Sequence, residues 1–404
     1  MLPKIKLSLI LPIITLLALT LTGCVVSGPR EKVPPISQET PPSIGDPFEA
    51  KPLTGVPEPF ARLAGALVAS GLNRSKVVSF FNSPELTFNP SPMEAKLREL
   101  FGIFYRSDLT RAVQEKLWQL GYDVTIDSRY GSMTSKFIKQ FQNDHGLSPD
   151  GRVTDELNLR LKVTLAAAKV RDLAAYKPPP TTPPSRSQTY QQFTNQTAIR
   201  DIKAFYEADR PLFAKMEARF GVPGPLVASI MWIETGYGRF FGRNRAAFSL
   251  ASMAAATDYR LVASNLTDID TNNEARTFLA DYAQKRGRWA FGELRALLVY
   301  AWDNGLDPSV FLGSIYGAIG YGQFMPSNIG KFAVDGDGDG RIDLFNKADA
   351  IFSVGKFLAD SGWRGDMKDE EKRRKVIMLY NRSGVYVNTV LYVASILSNQ
   401  SQGI

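Results

Sequence analysis

A mainly α-helical protein built from more than one domain is what this sequence predicts, and three observations lead there. At 404 residues the chain exceeds one average domain. Apolar residues recur at helical spacing through most of it, and no segment offers a run of alternating strand pattern. Two proline-rich stretches, residues 25–59 and Lys177 to Pro184, carry few large apolar groups and read as a tether and a spacer.

The N-terminus sets the compartment. Lys4 and Lys6 precede an apolar run from Leu7 to Leu21. At about 15 residues that run is short for a membrane span, which needs roughly 20, and it reads as a secretory signal. It ends in Leu21-Thr22-Gly23-Cys24, which resembles a bacterial lipobox. The resemblance implies removal of residues 1–23 and acylation of Cys24, with several acyl chains anchoring the protein to a lipid membrane. Val25, rather than Asp, follows the cysteine, and in a Gram-negative host that favours the outer membrane, facing the periplasm.

Between tether and spacer lie two textures. Phe60 to Leu72 and Lys76 to Phe81 form an αα-hairpin pattern, and Leu97 to Phe104 continues it. Residues 107–175 are different. Val113 to Leu120 predicts an amphipathic helix stopped by Gly121, Thr134 to Phe141 a second, and Asp155 to Leu161 a third. Leu120-Gly121-Tyr122, Tyr130 to Thr134, Phe141-Gln142 and Gly146 to Gly151 resemble the peptidoglycan-binding domain of wall enzymes, a small three-helix unit. This chain departs from that family at Asp127-Ser128-Arg129, where Asp-Gly is usual. After the spacer, helix-length patterns cover Arg200 to Phe220, Gly224 to Thr235, Phe291 to Asn304, Ala348 to Asp360 and Asp369 to Tyr380.

Composition then narrows the chemistry. One cysteine, Cys24, excludes a disulfide framework and a Cys-ligated metal, and one histidine, His145, leaves a Ser-His-Asp triad no other base. Catalysis is left to carboxylates, amides, hydroxyls and aromatics. A net charge of +8, two units of it in the segment expected to be removed, suits an anionic partner such as a cell wall and does not argue for nucleic acid.

Three segments carry chemistry. Leu226, Ile230 and Ile233 fall on one helical face, widened by Val227 and Met231, and Gly236 and Gly238 mark the helix end. Glu234 is therefore a lone carboxylate in the last turn of an apolar helix. Apolar neighbours and the negative end of the helix dipole both disfavour its charged form, which suits a proton donor. Gly313 to Ser327 is dense in glycine, aromatics and amides. Glycine lets backbone approach a ligand, Tyr321 offers a face for a sugar ring, and Gln323 offers a donor and acceptors. Leu379 to Tyr386 closes the set near a helix end.

These segments, in this order, resemble the lytic murein transglycosylase B family over the chain after Tyr190, most specifically across Gly320 to Ser327. The resemblance implies a lysozyme-like helical fold and cleavage of the β-1,4 bond between N-acetylmuramic acid and N-acetylglucosamine in peptidoglycan glycan strands, without water, to leave a 1,6-anhydro end. It places Glu234 as the catalytic acid, Ser314 and Gln323 along the sugar site, Tyr380 and Asn381 beside the acid, and Tyr386 as a weaker match. Phe60 to Phe104 resembles the opening helices of the same family. Residues 60–106 and 190–404 would then form one catalytic domain, with 107–175 inserted and 176–189 as linker; a string of three independent modules is the simpler alternative. A hydrolytic muramidase, which would need a second carboxylate across the cleft, and a non-catalytic murein-binding lipoprotein are the alternatives.

A further loop, Asp335 to Asn346, has carboxylates at positions 1, 3 and 5, glycine at 6, an apolar residue at 8 and a carboxylate at 9, the pattern of an EF-hand calcium loop. Asp335, Asp337, Asp339 and Arg341 at position 7 are the expected ligands of a structural Ca2+. Position 12 is Asn346 rather than Glu. The family resemblance implies a longer loop closed by Asp349. No organic cofactor is expected.

Overall fold

A computed structural model of the chain describes residues 49–179, 185–365 and 367–400, with the side chains of 399 and 400 left out. The expected signal segment, Cys24 and most of the first tether lie outside these residues, as does part of the spacer.

The described chain is helical with one small sheet. An opening group comprises α1 (Ala61–Ala69), α2 (Arg74–Phe81) and α3 (Ser91–Phe104). Asn73 and Ser107 act as N-caps at the starts of α2 and of the helix that begins at Asp108, each side chain accepting a backbone N–H three residues on. Then come α4 (Asp108–Gln119), α5 (Ser132–Asp144) and α6 (Asp155–Ala167), followed by α7 (Gln191–Thr194), α8 (Gln196–Ala208), α9 (Arg210–Phe220) and α10 (Gly224–Thr235). The remainder is α11 (Ala246–Ala255), α12 (Arg260–Ala263), α13 (Asn273–Asp303), α14 (Pro326–Phe332), α15 (Lys347–Asp360), α16 (Glu370–Tyr380) and α17 (Gly384–Gln400). Where one helix over 200–220 is expected, two form, because Pro211 in the first turn of α9 has no N–H to continue α8 past Asp209. The strands β1 (Asn244–Arg245) and β2 (Leu312–Gly313) pair antiparallel.

Two hydrophobic cores are present. The smaller holds Val113, Leu117, Val124, Ile138, Phe141, Val153, Leu157 and Leu161, all from residues between Ser107 and Ala167. The larger joins Leu53 through Tyr105 with Ala198 through Leu397, so the opening helices share a core with the chain beyond the spacer. Tyr130 packs against both. In the small unit, Ser128 adopts φ 62°, the left-handed conformation that glycine takes without strain. Its N–H and that of Asp127 both donate to Oε1 of the buried Gln114, at 2.9 and 3.1 Å. The Asx-type corner is thus held from the core side despite the missing glycine.

The chain re-enters the large core as a strap. Buried Asn388 of α17 donates from Nδ2 to the carbonyls of Ser185 and Gln188 at 3.0 and 2.9 Å, and its Oδ1 accepts from Arg374 at 2.6 Å. The Tyr190 N–H donates to Thr389 Oγ1 at 2.9 Å. Arg186 pairs with Glu370 and Glu371 at the start of α16.

Candidate active site

Helix α10 carries the candidate acid. Every residue from Gly224 to Ile233 is buried, so the helix is covered on all sides rather than on one face. That is the expected state of a helix apolar all round, and it packs against α17, α9, α15 and α8. At its end Gly236, Tyr237 and Gly238 are all left-handed, with φ 58°, 61° and 87°. Gly238 is also a close approach, since a Cβ there would lie 2.3 Å from the Tyr321 ring. Thr235 joins this end to the glycine-rich stretch. Its hydroxyl donates to the Tyr321 carbonyl at 3.0 Å and accepts the Gly238 N–H at 3.0 Å.

Glu234 projects from the last turn of α10 toward α17. Its Oε1 accepts the Tyr386 hydroxyl at 2.7 Å. Burial pushes its carboxyl up to about 7, and the Tyr386 hydrogen bond pulls the other way. Among the described residues no other carboxylate contributes to the shift. The group is therefore an acid poised to give and take a proton near neutral pH.

Two tyrosines flank it. Tyr386 is buried, and its phenol is held well above its usual range by burial and by the Glu234 carboxyl. Tyr380, at the end of α16, lies in the field of the same carboxyl and donates its hydroxyl to the Gly322 carbonyl. That bond ties α16 to the glycine-rich stretch. A Cβ at Gly322 would lie 2.8 Å from the Tyr380 hydroxyl, so the backbone must be bare there. Asn381 caps α16 through its backbone N–H, 3.2 Å from the Ile377 carbonyl. Its half-buried side chain makes no hydrogen bond among the described residues, which leaves the amide free for a ligand.

The glycine-rich stretch is a folded loop braced on itself. Ile319 bridges Gly313 and Phe324. Ser314 Oγ accepts the Ala318 N–H at 3.0 Å. Gln323, at φ 47°, donates from Nε2 to the Phe241 and Gly320 carbonyls, both at 3.2 Å. Tyr321 meets Phe241 edge-on at 5.0 Å between centroids. Glu234 is thus bonded to Tyr386 and Gly322 to Tyr380, with Tyr380 in the field of the Glu234 carboxyl. Gln323 follows Gly322 in sequence, and Ser314 lies at the other end of the same loop.

The acidic loop abuts this site. Carboxylate oxygens of Asp335, Asp337 and Asp349 lie within 4.8 Å of one another. Asp339 is outside that trio and accepts the Arg341 N–H at 2.8 Å, and Arg341 itself is exposed. Asn346 explains its own presence at position 12. Its Oδ1 caps α15 by accepting the Ala348 N–H at 2.8 Å, and its Nδ2 donates to Asp337 at 2.7 Å. Asp349 accepts the N–H groups of Gly336 and Asp343 at 2.7 and 2.6 Å. Three clustered carboxylates with oxygen-only donors suit a hard divalent cation such as calcium. One residue past Asp343, the Leu344 carbonyl accepts the Tyr321 N–H at 3.1 Å, which couples the acidic loop to the glycine-rich one.

Sequence reasoning missed Glu293. It is buried in α13 and accepts both the N–H and the hydroxyl of Ser327, at 2.9 and 2.8 Å. It thereby fixes the exit of the glycine-rich stretch. Its signal was a single acid among the apolar positions Ala290, Phe291, Leu294 and Leu297. Asn388 gave no comparable signal.

Comparison with known proteins adds relatives to this geometry. Membrane-bound lytic murein transglycosylase B of Escherichia coli (strain K12) is 27% identical over 258 residues. The match takes in 63% of this chain and spans 63% of the length of that relative. Among solved structures, a soluble lytic transglycosylase from Pseudomonas aeruginosa covers 67% of this chain and 99% of its own, at 22% identity and a TM-score of 0.43. An Escherichia coli lytic transglycosylase in complex with calcium covers 71% of this chain and 98% of its own, at 21% identity and the same TM-score of 0.43. The "Putative peptidoglycan binding domain" profile matches residues 106–160, which contain most of the smaller core. The profile described as "Transglycosylase SLT domain" matches residues 144–372, more than half of the chain and a span that includes Glu234, the glycine-rich loop and the acidic loop. The protein therefore belongs to the transglycosylase SLT domain family.

Proposed function

We propose that the protein is a lytic transglycosylase of peptidoglycan. The observation that carries this reading is Glu234, a desolvated carboxyl raised to about 7 and held by a single tyrosine hydroxyl. A protonated Glu234 donates to the glycosidic oxygen as the bond from the anomeric carbon of N-acetylmuramic acid breaks. The acetamido group of that sugar stabilises the anomeric centre. The Glu234 carboxylate then takes the C6 hydroxyl proton as O6 bonds to the anomeric carbon, closing a 1,6-anhydro ring. No water is consumed and no second carboxylate is required, unlike the two-carboxylate hydrolases. Tyr386 orients the acid, the free amide of Asn381 and the face of Tyr321 meet the sugar, and Ser314, Gln323 and Tyr380 hold the loop that shapes the cleft.

Asp335, Asp337 and Asp349 would hold Ca2+, with Asp339 and the Arg341 carbonyl completing the loop pattern. The ion would brace the acidic loop and, through Leu344, the backbone of Tyr321. Residues 107–175 are the murein-binding module. Residues 60–106 and 190–404 form one catalytic domain around it, supported by the core they share. Acylated Cys24 would anchor the protein to the outer membrane, in keeping with a relative named as membrane-bound.

Mass spectrometry of products from purified murein is the test. Anhydro-muramyl ends are the expected product; reducing ends, heavier by one water, would reassign the site as a hydrolase. The same assay on a chain with Ser107 to Ser185 replaced by a short Gly-Ser linker checks the domain arrangement. Soluble fragments should still be cut, and loss of folding would refute the insertion.

A further inference from the structure

The seam between α3 and α13 connects the small unit to the glycine-rich loop. At one end Ser107, Thr110 and Tyr130 of the small unit face Tyr105, Asp268 and Asn272. At the other, Tyr316 of the glycine-rich loop lies under Lys96 of α3, whose Nζ is 4.1 Å from the ring centroid, and within the field of Arg286 of α13. Asn272 and Arg286 are about 20 Å apart at ~1.5 Å rise per residue.

Between these ends the seam is aromatic. Phe278 meets Phe101 and Tyr105 edge-on, at 5.7 and 5.4 Å. Above them Phe104 and Tyr282 lie with planes only 5° apart and centroids 6.2 Å apart. Phe104 is 47% exposed although it closes a helix whose neighbouring Phe101 and Tyr105 are buried. Phe104 is open to water, while Tyr282 is half-buried, packed on Phe278 at 4.5 Å with Lys285 Nζ 5.2 Å from its ring centroid. The near-parallel pair, one ring from each helix, thus leaves an apolar aromatic surface at the solvent edge of the seam, flanked by a cation. A sugar strand has matching chemistry, since a pyranose presents an apolar C–H face and a polar rim, and aromatics with one wet side suit that mixture.

We propose that the Phe104–Tyr282 surface is a glycan-binding platform that carries a peptidoglycan strand between the small unit and the catalytic cleft. This rests on the function proposed above, and the occupant follows from continuity: the surface has a peptidoglycan-binding match on one side and the candidate cleft loop on the other. It lies outside the site around Glu234 and engages no reacting atom. Its contribution is to binding long substrate, not to the chemical step.

The test uses the full mature chain with F104A and Y282A, singly and together. Sedimentation with purified sacculi is done in an E234Q background, so binding is read without cutting. The double variant should bind sacculi about three- to tenfold more weakly, the loss of one or two modest contacts. With Glu234 intact, the sacculus concentration for half-maximal rate should rise by a similar factor, while kcat and the cutting of soluble short fragments stay within about twofold. F104W, which keeps a flat ring, should retain binding; a purely structural role for Phe104 would show instead as a lowered Tm in F104A with binding unchanged. Unaltered sacculus binding in the folded double variant overturns the platform. A wild-type dimer that the double variant fails to form in sedimentation also overturns it and assigns the face to self-association. Failure of the wild type to cut soluble fragments would sink the enzymatic reading separately, because the E234Q binding comparison stands without it.

Discussion

Glu234 and Asp335 are both carboxylates, and their surroundings drive them in opposite directions. Glu234 ends a helix buried on every side and has one hydroxyl for company, so it is raised to about 7. Asp335 sits in an exposed turn where the N–H groups of Gly340 and Gly338 converge on it, and it is held below the usual carboxylate range. Desolvation without donors makes an acid that trades its proton; backbone donors in water make a fixed anion. The difference teaches that position in the fold, rather than residue type, makes one of these acids a neutral proton reservoir near pH 7 and the other a fixed anion, as the proposed division between proton transfer and cation binding requires. Asp349 marks the boundary between the two. It receives two backbone N–H groups, yet burial and the charges of Asp337 and Asp335 push it up. A cation among the three would relieve the repulsion.

The largest effect that could break this division comes from Glu234→Gln. The amide keeps the shape and loses the proton, so murein turnover should fall by about 10² to 10⁴ while binding persists. Activity within a fewfold of the unaltered protein would show that Glu234 is not the proton carrier.

A smaller effect sharpens the electrostatics. Glu234 must be protonated to donate, so kcat/KM should fall above pH about 7, roughly tenfold per unit. The Tyr386 hydroxyl stabilises the carboxylate and lowers its pKa. Its removal in Tyr386→Phe should therefore move that limb to higher pH, with a lower plateau. A pH profile that keeps the limb in place would separate Tyr386 from the acid.

The smallest effect belongs to the other carboxylates. Calcium that binds the folded loop alone should raise the Tm, by ~2–4 °C for each kcal/mol of linkage. Asp337→Ala should abolish the response without changing the pH profile of turnover. A thermal unfolding curve indifferent to calcium in the unaltered protein would leave the acidic turn without its ion.

Much of this was legible in the residues. The apolar run before Glu234 and the glycines after it place a lone acid at a helix end, and the helix forms over Gly224–Thr235. Helix periodicity located most of the elements, missing the break at Asp209 and the extent of α13, where tertiary packing carries the helix through Gly287 and Gly292. Side-chain partners were less accessible. Tyr386 was the weaker match and proves to hold the acid, whereas Tyr380 spends its hydroxyl on the Gly322 backbone. Ser128 looked like a departure from glycine, and only the fold shows the amide of Gln114 holding that corner. Glu293 and Asn388 bond to residues far away in the chain, and periodicity carries no information about such pairings.

The strap at Asn388 has a mechanical consequence. If the small unit grips a strand of wall as proposed, tension in that strand would pull on the segment that leaves it. Two carbonyls of that segment hang on one buried amide, and the Tyr190 N–H on the next residue, Thr389. Force along this route reaches α17 just after Tyr386, the residue that holds Glu234. The return connection is thus seated within one helical turn of Tyr386, and under the proposed function stress in the substrate would arrive beside the residue bonded to Glu234.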